Sequence, residues 1–182
     1  MRANSSNDPD VLIVAPSGRA LAASARRAGY RPLVVDFFDD LDTRLLSEAT
    51  ALMPDPDRGF VADALMARLD ELTRGHAPVG LVYGGGFEDR TELIAKMDAQ
   101  FRVFGNSAAT VARVKDPVHL AGLCAALGIP HPEIALSPPD DPAQWLIKQK
   151  GGGGGSHIEP AVGRNTVEGE YYQRKVEGDP IS

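Results

Sequence analysis

Trp145-Leu-Ile-Lys148-Gln-Lys150-Gly151-Gly-Gly-Gly-Gly155-Ser156-His157-Ile158 joins an apolar, strand-forming stretch to five consecutive glycines closed by a serine. Glycine has no Cβ, so such a loop brings backbone close to a ligand and passes through positive φ without steric cost. Successive backbone N–H groups in it can form a concave anion site. A lysine delivered by the adjoining strand adds a point charge suited to a phosphate. The run therefore predicts a strand followed by a lid over the phosphates of a nucleotide. The same letters also spell a flexible linker, which would be plain coil. The glycines follow the strand with no break in composition, and Ser156-His-Ile-Glu-Pro160 starts no recognisable new domain. Both observations favour the loop.

Upstream, short apolar runs alternate with helical patterns. Val11-Leu-Ile-Val-Ala15 and Pro32-Leu-Val-Val-Asp36 are continuous apolar runs, as expected of strands buried on both faces. The alanine-rich stretch 20–28 between them predicts a helix stopped at Gly29. One such unit implies parallel strands joined by a right-handed crossover. Residues 49–53 predict a third strand and 79–83 a fourth, which runs into Gly84-Gly-Gly86. Val61, Leu65, Leu69 and Leu72 recur at helical spacing and Gly75 ends that helix. A helix near 91–98 and a short fifth strand, Phe101-Arg-Val-Phe104, complete the pattern. Behind a loose tail at 1–8, residues 9–105 thus predict a doubly wound α/β layer with a parallel sheet.

From residue 106 the texture changes. Residues 107–114 predict one helix. Asp116 followed by Pro117 is an N-cap with proline at the first helical position, and Gly128 stops this second helix. Leu120, Leu123 and Leu127 share its face, and Ile129-Pro-His-Pro132 forces an extended exit. After a surface loop at 138–142, a second sheet begins with 144–149, the glycine loop and 169–176. So few strands carry too little apolar area to close a second core. The expectation is that the sequence is a truncated piece of a longer polypeptide.

Bulk properties exclude some functions. A net charge of −6 disfavours a nucleic-acid partner. Nothing approaches the ~18 consecutive apolar residues of a membrane span, and the first ten residues lack a signal-peptide core. A cytoplasmic protein without membrane contact is expected. Cys124 is the single cysteine, so no internal disulfide can form, and it falls on the apolar side of a helix as a buried thiol. His157 has no second ligand at metal-binding spacing and reads as a loop residue, and His119 as a helix-surface residue. Asp36, Asp39, Asp40 and Asp42 follow the second strand, where an acid binds ribose in NAD enzymes. Pro16-Ser-Gly18-Arg19-Ala20 carries one glycine instead of the G-x-G-x-x-G fingerprint, so the acids read as a solvated loop, or else as acceptor-substrate contacts. Gly84-Gly-Gly86-Phe-Glu88 reads as a tight turn, or else as a carboxylate-substrate loop. Gly18 and Arg19 carry the same pair of readings.

From about Gly105 to Ser182 the chain resembles the ATP-grasp superfamily. The resemblance rests on Gly105-Asn-Ser107, Lys115-Asp116, Leu127-Gly-Ile-Pro-His-Pro132, Leu146-Ile-Lys148 with the glycine loop, and Tyr172-Gln-Arg-Lys-Val-Glu-Gly178 in that order. It implies a Rossmann-like pre-ATP-grasp domain followed, over 106–182, by bridge helices and the first, incomplete part of an ATP-grasp α+β domain. Gly18-Arg-Ala-Leu-Ala22, 36–43 and Gly86-Phe-Glu88 are similar to a branch linked with assembly of the one-carbon cofactors tetrahydromethanopterin and methanofuran.

The implied activity is a carboxylate–amine ligase. ATP phosphorylates a small carboxylate, and an amine or other nucleophile attacks the acyl phosphate. Lys148 matches the strand lysine on the ATP phosphates. Gly152, Gly153, Gly154, Gly155 and Ser156 match the loop that closes over them. Gln173, Arg174, Lys175 and Val176 match the adenine hinge, with the Arg174 carbonyl and Val176 N–H as the adenine contacts. Two departures stand out. Many relatives have a basic residue where this chain has Pro117, a role for which Lys115 is the candidate. The ribose-binding glutamate would fall near Pro180, so that contact is unassigned. The family's Mg²⁺ ligands lie in the second half of its fold, past residue 182, and phosphoryl transfer relies on metal ions. The chain alone is therefore expected to be inactive, with no catalytic residue and no metal ligand assigned. An unpaired sheet edge leaves a homodimer open. The rival from another class is a non-catalytic nucleotide-binding or regulatory α/β module.

Overall fold

The computed structural model describes residues 8–178 apart from Gly154 and Ser156. The chain divides between Ala108 and Ala109 into two compact units.

The first unit is built on four parallel strands, β1 (Asp10–Val14), β2 (Arg31–Asp36), β3 (Ala49–Leu52) and β4 (Leu81–Tyr83), in the order β3-β2-β1-β4. Helices α1 (Arg19–Arg27), α2 (Leu41–Leu46), α3 (Ala62–Leu72) and α4 (Thr91–Gln100) connect and follow them. The central strands are apolar throughout because both faces are covered; Leu12, Val14, Leu33, Val34 and Val35 are fully buried. Helix α3 buries Leu65, Leu69 and Leu72 of the predicted stripe while Val61 is its exposed N-cap residue, and α4 buries Leu93, Ile94 and Met97. Gly18 begins α1 so close to β2 that a Cβ there would collide with Val34 Cγ1.

Two expectations for this unit fail. Residues 101–104 form no fifth strand but a single parallel bridge between Leu81 and Val103. Strand β4 is three residues long, and the bridge is spent after Leu81 N donates to Arg102 O and Phe104 N to Leu81 O. The acids after β2 are not simply a solvated loop either. Asp36 is 1% exposed, and Asp40 caps α2, a helix the sequence did not announce, by accepting Thr43 N–H at 2.8 Å.

The second unit holds α5 (Ala108–Lys115), apart from its first residue, and α6 (Pro117–Leu127). Asp116 caps α6 by accepting His119 N–H at 2.8 Å, and Gly128 ends it in the left-handed region at φ 66°. Cys124 is buried, as expected. An antiparallel sheet follows, β5 (Ile134–Ala135), β6 (Trp145–Gln149), β7 (Ile158–Pro160) and β8 (Glu170–Arg174), in the order β5-β8-β6-β7. Its small core is Trp145, Ile147, Ala161 and Tyr172 on one face. Among the described residues, no helix is long and apolar enough to cross a membrane.

Candidate functional site

Strand β6 alternates. Trp145 and Ile147 enter the core, which leaves Leu146 and Lys148 on the other face of the sheet. Lys148 stands between Tyr171 of β8 and Ile158 of β7, is half-buried, and makes no ion pair among the described residues. Burial raises the Tyr171 phenol above its ordinary range, so its neighbour is a neutral hydroxyl at physiological pH. The lysine is thus held by strands on both sides with its charge uncompensated.

The glycine run is the hairpin loop between β6 and β7. Its two ends pair in register, Lys148 with Ile158, so it is no linker between independent pieces. Lys150 N–H donates to Gly169 O at 2.8 Å, Gly152 N–H to Gln149 O at 3.2 Å, and Ile158 N–H to Gly155 O at 3.2 Å. Gly151 and Gly155 hold φ of 74° and 81°, which glycine adopts freely. A Cβ on Gly152 would collide with the His157 ring, which places His157 inside the loop as packing. Gly153 is exposed with open space around it. Gly154 and Ser156, expected on the phosphates, lie outside the described residues.

The expected hinge is at the other end of β8. Gln173 pairs with Leu146 and Ile134, Arg174 N–H donates to Glu133 O, and Lys175 N–H to Gln144 O, both at 2.8 Å. Val176 leaves the ladder, is 67% exposed, and its N–H makes no hydrogen bond among the described residues. Arg174 lies opposite Trp145, three residues from Lys148, or about 10 Å along the strands. Lys115 ends α5 beside the cap residue Asp116. Sequence reasoning missed Lys150, whose Nζ is 4.0 Å from Asp116 Oδ2. Its i+2 spacing from Lys148 was the signal that could have found it.

The opposite face carries a brace. Arg164 donates to Glu159 of β7 at 3.0 Å and to both oxygens of Glu170 of β8 at 2.8 and 3.1 Å, spanning the intervening β6. Hydrogen bonding by this guanidinium, reinforced by Val167 N–H, holds the Glu170 carboxyl below the usual carboxylate range. A cleft of about 490 Å³ lined by Glu133, Trp145 and Arg174 opens on this face, away from Lys148.

The first unit's candidate loops are turned inward. Asp36 Oδ2 accepts Gly18 N–H at 2.9 Å, so the N–H that would be offered to a dinucleotide phosphate is taken by the chain's own carboxylate. Arg19 faces Asp42 at 3.5 Å and Asp40 at 3.9 Å. Gly84–Glu88 is a tight turn: Glu88 accepts Gly86 N–H at 2.7 Å, Gly86 has φ 90°, and Phe87 stacks on Phe60 with centroids 4.7 Å apart. Tyr83 donates to Asn106 O at 2.6 Å, and burial, then the Glu88 charge, pushes its phenol up. Among the described residues, no group of three or more His, Cys, Asp or Glu is placed to hold a metal ion.

No protein-family model matches the sequence, and no curated protein sequence matches it. Solved structures do match. The N5-carboxyaminoimidazole ribonucleotide synthetase of Thermotoga maritima superposes with a TM-score of 0.61 at 16% identity, over 92% of this chain and 46% of its own. The biotin carboxylase domain of Hydrogenobacter thermophilus 2-oxoglutarate carboxylase, solved with MgADP and bicarbonate, gives 0.64 at 11% identity, over 91% and 44%. An L-amino acid ligase of Bacillus licheniformis gives 0.63 at 15% identity, over 96% and 46%. The chain spans less than half the length of each of these proteins, all of them ATP-grasp enzymes. The chain has the fold of the amino-terminal region of ATP-grasp enzymes, a parallel α/β unit followed by bridge helices and an antiparallel sheet.

Proposed function

We propose that this chain supplies the nucleotide-binding part of an ATP-dependent carboxylate–amine ligase. Residues 9–105 form the pre-ATP-grasp domain and 106–182 the bridge helices with part of the nucleotide-binding subdomain. One observation carries the reading. In one sheet Lys148 and the start of the glycine hairpin lie toward one end of β6, Arg174 lies three register steps away, about 10 Å along the strands, and the exposed Val176 follows two residues further on. That is a template for a nucleotide lying along β6 and β8. Adenine meets backbone at Arg174–Val176, Lys148 meets the phosphates, and the loop from Gly151 to Ser156 folds over them. The Tyr171 hydroxyl, neutral beside Lys148, leaves the lysine's charge to the phosphates.

The matched structures include a synthetase, a ligase and a biotin carboxylase domain holding MgADP and bicarbonate, which supports ATP-driven activation of a small carboxylate or carbonate for attack by an amine. In this reading the chain's own share is nucleotide binding, and turnover by the chain alone is not expected, because phosphoryl transfer relies on metal ions whose ligands the resemblance puts in the second half of the fold. A cytoplasmic setting and a substrate from one-carbon cofactor assembly belong to the same reading, the latter on the segments at 18–22, 36–43 and 86–88.

Calorimetric titration of wild type and Lys148→Met with ATP tests it. Wild type binds, and the variant, losing a charged contact to phosphate, binds about tenfold or more weakly. Equal binding by both proteins would overturn the assignment of Lys148.

A further inference from the structure

Lys150 follows Lys148 by two residues, and its N–H extends the β6 ladder by donating to Gly169 O at 2.8 Å. Side chains two apart on a strand share a face, so Lys150 stands beside Lys148, about 7 Å nearer the glycine loop. Its Nζ is 4.0 Å from Asp116 Oδ2. The other oxygen of that carboxylate caps α6 by accepting His119 N–H at 2.8 Å. The Lys150 contact is therefore a second and longer one, and both side chains are about two-fifths exposed. Such a pair is weak and readily screened. A phosphate offers more charge and better acceptors. Lys150 also directly precedes Gly151, whose φ of 74° starts the hairpin turn.

We propose that Lys150 is a second phosphate-binding lysine of the site, which exchanges its contact with Asp116 for the terminal phosphates of the nucleotide. The inference rests on the nucleotide reading above and adds a residue to it. Asp116 keeps its capping role throughout and competes with the phosphates for the lysine. The exchange makes the site selective for nucleoside triphosphate over monophosphate, because Lys150 lies beyond Lys148 as measured from the hinge.

Calorimetric titrations of wild type, Lys150→Met and Asp116→Asn with ATP and with AMP test the proposal. Lys150 is exposed, and asparagine caps helices as well as aspartate does, so both variants fold. Lys150→Met is expected to weaken ATP binding about tenfold and leave AMP binding unchanged. Asp116→Asn is expected to bind ATP at least as tightly as wild type. ATP affinity within twofold of wild type in Lys150→Met, an equal loss for ATP and AMP, or weaker ATP binding in Asp116→Asn would each overturn the exchange while leaving the nucleotide site standing. A wild-type protein that binds neither ATP nor AMP overturns the nucleotide reading itself, and this inference with it.

Discussion

Asp36 holds the carboxyl-terminal edge of the first unit together, and exchanging it for asparagine measures how much. Its Oδ2 accepts Gly18 N–H at 2.9 Å and Thr43 Oγ1 at 3.5 Å; its Oδ1 accepts Phe38 N–H at 3.1 Å and Asp39 N–H at 2.8 Å. The residue is 1% exposed and Gly18 is buried, so water cannot substitute for a lost acceptor. Asparagine has nearly the same shape but offers one oxygen. Whichever way the amide turns, its NH₂ confronts at least one backbone N–H. Leaving one buried donor unpaired costs about 1–3 kcal/mol. For a unit of roughly 100 residues, each kcal/mol lowers Tm by about 4–8 °C, which gives a fall of roughly 4–24 °C. Scanning calorimetry on wild type and Asp36→Asn reads this directly. A Tm within a degree of wild type would refute the claim that this carboxylate ties α1, β2 and α2 together.

Other consequences can be measured on the same protein. Gly18→Ala forces a Cβ onto Val34 Cγ1 and is expected to cost about 1–3 kcal/mol by overpacking, seen as a lower midpoint in urea. Gly152→Ala drives a methyl into the His157 ring and should lower Tm, while the double variant with His157→Ala should recover most of the loss. Arg164 holds the Glu170 carboxyl below its unfolded value. The stability it contributes is therefore present at neutral pH and is lost as pH falls below about 4, through the folded-state value. Arg164→Gln should flatten the fall of Tm between pH 5 and pH 3, and an unchanged acid slope would show that the brace carries no weight.

Much of the fold was legible because its signals are local. Strands β1 and β2 are buried on both faces and so read as unbroken apolar runs. Helix α3 shows its stripe, and Asp116, Pro117 and Gly128 frame α6 with residues whose backbone chemistry starts and stops helices. What escaped lacks such a signal. Strand β5 has two half-buried residues and β7 three exposed ones, and both exist only because β8 and β6 offer them hydrogen bonds. Residues 101–104 look like a strand but meet a partner too short to extend the ladder. Asp36 reads as a surface acid because its buried partner, Gly18, lies 18 residues upstream. In the proposed site, Lys148, the glycine loop and residues 173–176 read as a motif in the sequence. Their arrangement along one sheet depends on the register between β6 and β8, and the Lys150–Asp116 contact on how α6 sits against that sheet.

The most direct test of the proposed nucleotide site is a two-dimensional ¹H–¹⁵N NMR titration of the labelled chain with ADP. The template along β6 and β8 predicts that the largest amide shifts fall at Lys148 to Gly155 and at Arg174 to Val176, with the first unit's Gly18 and Gly84–Glu88 unmoved. Shifts concentrated at Gly18 and Gly84–Glu88, or none at any ADP concentration reached, would contradict it.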